Sequence, residues 1–328
     1  MGGVCDPMGR SGLSPAMTRR FAAVFPGQGA QHVGMGCEIA ERYPEARTVF
    51  ERASAAVGFD ILGLCAEGPE DALRATANTQ PAILATSLAC LATLPAAPSI
   101  AAGLSLGEYS ALVCAGALQL EDAVRLVRLR GIFMEEATRD RDTMMAAVVG
   151  LTPGQARALC AAHGHLGVVE PANFNSPGQV VIGGDAPAVK EAAAAALAMG
   201  ARRAVPLAVG APFHTSLMRP AAERLAVELE RTPMRDAGIP VVANVSALPI
   251  QRADEIRRAL LAQVASPVLW EQSVRAIYDS GIRRFVEIGP GTTLSGMIRK
   301  TVEADTCHIA DAESREETLR RLLGEQVR

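Results

Sequence analysis

Long hydrophobic runs are missing from this sequence. No segment reaches the ~18 uninterrupted apolar residues that a bilayer-crossing helix needs, so no membrane partner is expected. Paired cysteine spacings are missing too. The cysteines stand scattered at positions 5, 37, 65, 90, 114, 160 and 307, with no Cys-x-x-Cys. An odd count without paired spacing excludes a disulfide framework and a zinc site, and it points to a reducing compartment. Lysine is nearly absent, with only Lys190 and Lys300, and the formal net charge is −3. No global basic field is left for nucleic acid. Internal repeats and the apolar core of a secretory signal are also lacking. Residues 1–20, rich in Gly, Ser and Pro, read as a disordered leader with Met17 as an alternative start. The expected location is the cytoplasm, or a plastid or mitochondrion if the leader is part of a transit peptide.

What is present is a core-forming α/β pattern. Phe21-Ala-Ala-Val-Phe25 is an apolar run stopped by Pro26-Gly27 and reads as a buried strand. An amphipathic helix is expected over 38–57, and an apolar one over 80–94 with Pro81 in its first turn. Ser99 to Ala102 is a strand. Strands alternating with helices predict a parallel sheet covered on both faces. Between 141 and 209 the order becomes β-α-β-β-α-β, with Thr152 and Asp185 as candidate helix caps. The fold class is therefore α/β: a hydrolase-like core over 21–140 and 210–315, an inserted ferredoxin-like α+β subdomain over 141–209, and a C-terminal tail over 316–328.

The strand at 99–102 runs into Gly103-Leu-Ser-Leu-Gly107 and then a helix-forming stretch. A Gly-x-Ser-x-Gly turn in that context presents its serine at a helix N-terminus, where free N–H groups can bind an oxyanion. Ser105 is thus the candidate nucleophile, and it needs a base. His32, His163, His165, His214 and His308 are available, and local sequence does not rank His214, in a Pro-bearing loop, far above His32. Between Ser105 and His214 the one loop acid to consider is Asp185, assigned to capping, so either a backbone or amide carbonyl orients the ring or the acid lies elsewhere. Arg130 is conspicuous in another way. At about 100° per residue it falls on the apolar stripe of its helix, with Ala123, Val127 and Met134. A buried guanidinium needs a partner, either an internal acid or a ligand carboxylate.

Taken together, these residues resemble the malonyl-CoA:acyl carrier protein transacylase family. The resemblance runs from about Phe21 to Arg299. It is carried by Phe25-Pro-Gly-Gln-Gly-Ala-Gln31, Gly103-Leu-Ser-Leu-Gly-Glu108, Arg130-Gly131, Asn173-Phe-Asn-Ser-Pro-Gly-Gln179, Phe213-His214, Gln263 before Ser266-Pro-Val268, and Glu287-Ile-Gly-Pro-Gly291. It implies that Ser105 carries the acyl group and that His214 is its base. Gln28 and the Leu106 N–H would form the oxyanion hole, and a carbonyl near Gln263 would orient the imidazole. Arg130 would bind the malonyl carboxylate, and Phe213 would narrow the pocket beside the α-carbon. The substrate would be malonyl-CoA and the partner an acyl carrier protein, whose own phosphopantetheine thiol takes the group; the enzyme, a monomer, would need no metal or other cofactor. An acyl hydrolase that clears stalled chains is the alternative. Leu104 departs from the histidine that most members carry there, and Asp142-Thr143 from a small Gly-rich turn. Arg202-Arg203, Arg283-Arg284 and Arg299-Lys300 are candidates for a basic rim facing the acidic carrier.

Overall fold

A computed structural model describes residues 20–323. The leader expected over 1–20 thus lies, but for its last residue, outside the described residues. The strands are β1 (Ala22–Phe25), β2 (Ile100–Gly103), β3 (Thr143–Val149), β4 (Val169–Ser176), β5 (Gln179–Asp185), β6 (Arg203–Pro206), β7 (Val241–Val242), β8 (Pro249–Ile250), β9 (Arg284–Ile288) and β10 (Asp305–Ile309). They form two sheets. The larger has the order β10-β9-β1-β2-β7-β8, parallel throughout except for the β7–β8 edge pair. The smaller, β4-β5-β3-β6, is wholly antiparallel.

β1 shows why the large sheet forms where it does. All of its residues are buried, as a central strand covered on both faces must be. Its side chains alternate between two cores, as the two-residue period of a strand requires. Ala23 and Phe25 join the cluster with the helices Thr76–Ala92 and Leu120–Glu136. Ala22 and Val24 face the cluster built with the helices Trp270–Asp279 and Thr293–Thr301. The small sheet has its own core beneath the helices Pro153–His163 and Ala186–Ala198. Backbone hydrogen bonds join the two halves: Phe174 donates to the Val268 carbonyl and Val268 to that of Ala172.

Several elements differ from the sequence reading. The helix expected over 38–57 is two, Cys37–Arg42 and Pro44–Val57, because the residue before a proline is pushed out of the helical region. Tyr43 is extended there, at φ −125° and ψ 113°. The helix expected from residue 80 begins at Thr76, with Pro81 inside it. Its start is capped from a distance: the Glu135 carboxylate accepts the Thr76 N–H at 2.6 Å. Asp185 occupies an N-cap position without capping. Its carboxylate instead takes the Val168 N–H and pairs with Arg141. Thr152 does cap, in a reciprocal box with Gln155. The tail expected from 316 is crossed by the helix Ala312–Leu323, whose Leu322 is buried in the core, so residues 316–323 are part of the packed body.

Candidate active site

The turn between β2 and the helix Gly107–Cys114 is set by steric fit. A Cβ on Gly103 would lie 1.9 Å from the Gly107 carbonyl carbon, and one on Gly107 would lie 2.1 Å from the Phe25 carbonyl oxygen. Only glycine lets the three backbones pass so close. Ser105, between them, sits in the left-handed region at φ 53°, a strained conformation that a structure keeps only where its surroundings enforce it. Asn244 supplies much of that enforcement. Its Oδ1 accepts the Ser105 N–H at 2.6 Å, and its Nδ2 donates to the Gly103 carbonyl at 2.7 Å.

The histidine on Ser105 is His214, in the segment that follows β6. Its Nε2 lies 2.6 Å from the serine Oγ, and its Nδ1 lies 2.8 Å from the Gln263 main-chain carbonyl. A carbonyl only accepts, so Nδ1 carries the proton and Nε2 is left to take one from serine. His214 is itself left-handed, at φ 63°, and 3% exposed. Burial, and after it the charge of Arg130, push its pKa down to about 3, so the ring is neutral at ordinary pH. His32 is exposed and lines a neighbouring cleft with His308. His163 ends a helix and His165 lies on the turn after it.

Arg130 is buried, as its helical position predicts, and among the described residues it has no carboxylate partner within ion-pair distance. Its Nη1 donates to Gln80 Oε1 at 2.9 Å, while Nη2 donates to Gln263 Oε1 at 2.9 Å and to Ser105 Oγ at 3.0 Å. The guanidinium also lies 5.7 Å from the Tyr109 ring centroid. Gly131 brings this helix in: a Cβ there would come within 2.7 Å of the Thr76 carbonyl. Of the two partners open to this cation, no internal acid among the described residues bonds it directly, and neutral amides and a hydroxyl stand in.

These groups open onto a cleft of about 210 Å³ between the two sheets. Gln28, Leu104, Leu106 and Phe213 line it from the large body, and Met145 and Asn173 from the small sheet. Leu106, at the N-cap of its helix, carries one of the N–H groups that a first turn leaves without an intrahelical partner. Among the described residues no group of three or more His, Cys, Asp or Glu is placed as metal ligands are. Of the basic pairs, Arg284 is tied to Asp305 and Arg299 to Thr306, whereas Arg202 and Arg203 stand exposed. The sequence reading missed Asn244, Gln80 and Glu108 as parts of this site. Glu108 had a visible signal, being a charged residue at the head of the otherwise uncharged helix after the serine.

The chain is similar to known proteins over most of its length. The acyl transferase domain model matches residues 23–324. The malonyl CoA-acyl carrier protein transacylase of Escherichia coli K12 is 45% identical over 88% of this chain and 94% of that protein. Among solved structures, the malonyl CoA-acyl carrier protein transacylase of Coxiella burnetii superposes with a TM-score of 0.91 at 38% identity, over 94% of this chain and 99% of that one. A malonyl-transacylase in complex with its type II PKS acyl carrier protein gives a TM-score of 0.90 at 42% identity, over 92% of this chain and 100% of that one.

Proposed function

The chain belongs to the acyl transferase family and transfers malonyl groups from malonyl-CoA to an acyl carrier protein; we propose that it does so through an ester on Ser105, with His214 as the base. In the first half-reaction His214 Nε2 takes the hydroxyl proton as Oγ attacks the thioester carbonyl. The C–S bond then breaks, and the coenzyme thiol leaves with the proton from the imidazole. In the second, the phosphopantetheine thiol gives its proton to His214 and its sulfur attacks the ester. The C–O bond breaks and Ser105 recovers its proton. The Gln28 amide and the Leu106 N–H receive the negative charge that develops on the carbonyl oxygen. One thioester is exchanged for another, so no electrons are consumed and the cycle calls for no redox group.

The observation that carries the malonyl reading is Arg130. A buried cation 3.0 Å from the nucleophile, held by neutral acceptors, is a socket for a carboxylate one short chain away from the reacting carbonyl. Phe213, 9% exposed at the same cleft, limits the bulk allowed beside the α-carbon. An acyl hydrolase acting on neutral chains would gain nothing from such a cation, and the relatives above are transacylases.

Mass spectrometry after exposure to malonyl-, methylmalonyl- and acetyl-CoA tests the assignment. The expected result is a malonyl adduct on Ser105, absent in Ser105→Ala. Removing one partner of a buried charge pair costs about 2–5 kcal/mol, so Arg130→Ala is expected to lower kcat/KM for malonyl-CoA by roughly 30-fold to several thousandfold. It spares acetyl-CoA by comparison. An Arg130→Ala enzyme that kept its preference for malonyl would end the socket reading.

A further inference from the structure

We infer that Glu108 is the residue that positions this site, acting through the side-chain amide of Gln263. The inference rests on the roles proposed for Ser105, His214 and Arg130. Glu108 is 1% exposed and touches none of the reacting atoms. Its Oε2 accepts from Gln263 Nε2 at 2.8 Å and from the Asn244 N–H at 3.1 Å. Burying a carboxyl group is costly, and burial pushes this one up to about 7.

The geometry shows what is gained. An amide has a donor end and an acceptor end. Gln263 Nε2 meets two acceptors, Glu108 Oε2 and the Ser105 carbonyl at 2.9 Å. Its Oε1 is thereby turned to Arg130. Turned over, the amide would set its NH2 against the guanidinium and its oxygen against two other oxygens. Gln263 also lends its main-chain carbonyl to His214, and Asn244 lends its side chain to the Ser105 N–H. One acid thus braces cation, base and nucleophile from behind.

The test separates reach from charge. Glu108→Gln keeps an acceptor at the same distance. Glu108→Asp keeps the charge but withdraws it by one methylene, about 1.5 Å. E108Q is expected to stay within about threefold of wild type in kcat/KM for malonyl-CoA, and E108D to lose about tenfold or more. Because the effect passes through Arg130, E108D is also expected to lower the malonyl-to-acetyl ratio about threefold or more. In a Gln263→Met background, E108D is expected to add less than about twofold. Unfolding curves check that each variant is folded. The inference is overturned by a folded E108Q with a tenfold loss, by an E108D that loses malonyl and acetyl activity equally or neither, or by E108D and Q263M losses that multiply. Should E108D fail to fold, the isosteric E108Q decides alone. Absence of a malonyl adduct on wild-type Ser105 would instead strike the underlying site assignment.

Discussion

His214 lacks the acid that usually orients a serine's histidine, and the Gln263 carbonyl takes that place. That carbonyl raises the ring's pKa, but burial and the Arg130 charge outweigh it, with a measurable result. With the imidazole pKa pushed far below its ordinary 6.5, the ring is in its accepting form throughout the mildly acidic range. Glu108 is the buried neighbour held at about 7, so the clean measurement is in E108Q. There, kcat/KM for acylation is expected to stay flat on the acid side from about pH 7.5 down to about pH 5. An inflection near 6.5 would show that the base titrates as an ordinary histidine. At this scale much of the site was legible. Ser105 announced itself through its flanking glycines, and Arg130 through a charge on an apolar stripe. Local sequence could not choose between His214 and His32, because the choice depends on where the segment after β6 carries the ring. Asn244 and Gln80 were invisible for a related reason: an amide takes its meaning from neighbours more than a hundred residues away in the first case and fifty in the second.

Among the elements, the strand–turn–helix holding Ser105 tolerates least. The Cβ positions of residues 103 and 107 fall on main-chain atoms, not on side chains that could swing aside. Gly107→Ala is expected to cost about 3 kcal/mol or more, at or above the upper end of ordinary overpacking, read as a lowered denaturant midpoint. A loss under about 1 kcal/mol would mean that the backbones can separate. The element pattern itself was largely readable, since β1, β2 and the elements of the antiparallel sheet follow apolar periodicity. Two departures occurred where a distant group decided the outcome. Glu135 starts a helix ahead of Pro81, and Arg141 draws Asp185 away from capping. The helix Ala312–Leu323 buries only a narrow face, Ala312, Ser314, Thr318 and Leu322, too sparse an apolar stripe to stand out.

At the level of the whole molecule, the cleft is lined by residues of both the large body and the small sheet, so a ligand seated in it touches both. Binding to the folded state alone stabilises it by RT ln(1 + [L]/Kd), about 2.7 kcal/mol at a hundred times Kd. Malonyl-CoA is therefore expected to raise the Tm of Ser105→Ala, where no ester can form, and to do so far less in Ser105→Ala/Arg130→Ala at the same concentration. Equal shifts in the two proteins would place the binding energy elsewhere than on the malonyl end. The α/β class and the antiparallel second sheet were both legible in the chain. The seam between them was not, because the Asn173–Val268 bridge joins positions that no local pattern connects.

The burial of His214 beside Arg130 also bears on how long an acylated enzyme would wait. An imidazolium with no carboxylate at its back and a guanidinium nearby is poorly stabilised, so this ring pulls protons weakly. A thiol, with a pKa of about 8.5, needs little pulling. Water, at about 15.7, needs a great deal. A feeble base thus favours sulfur over solvent, so the ester proposed on Ser105 would persist until a carrier arrives to collect its load.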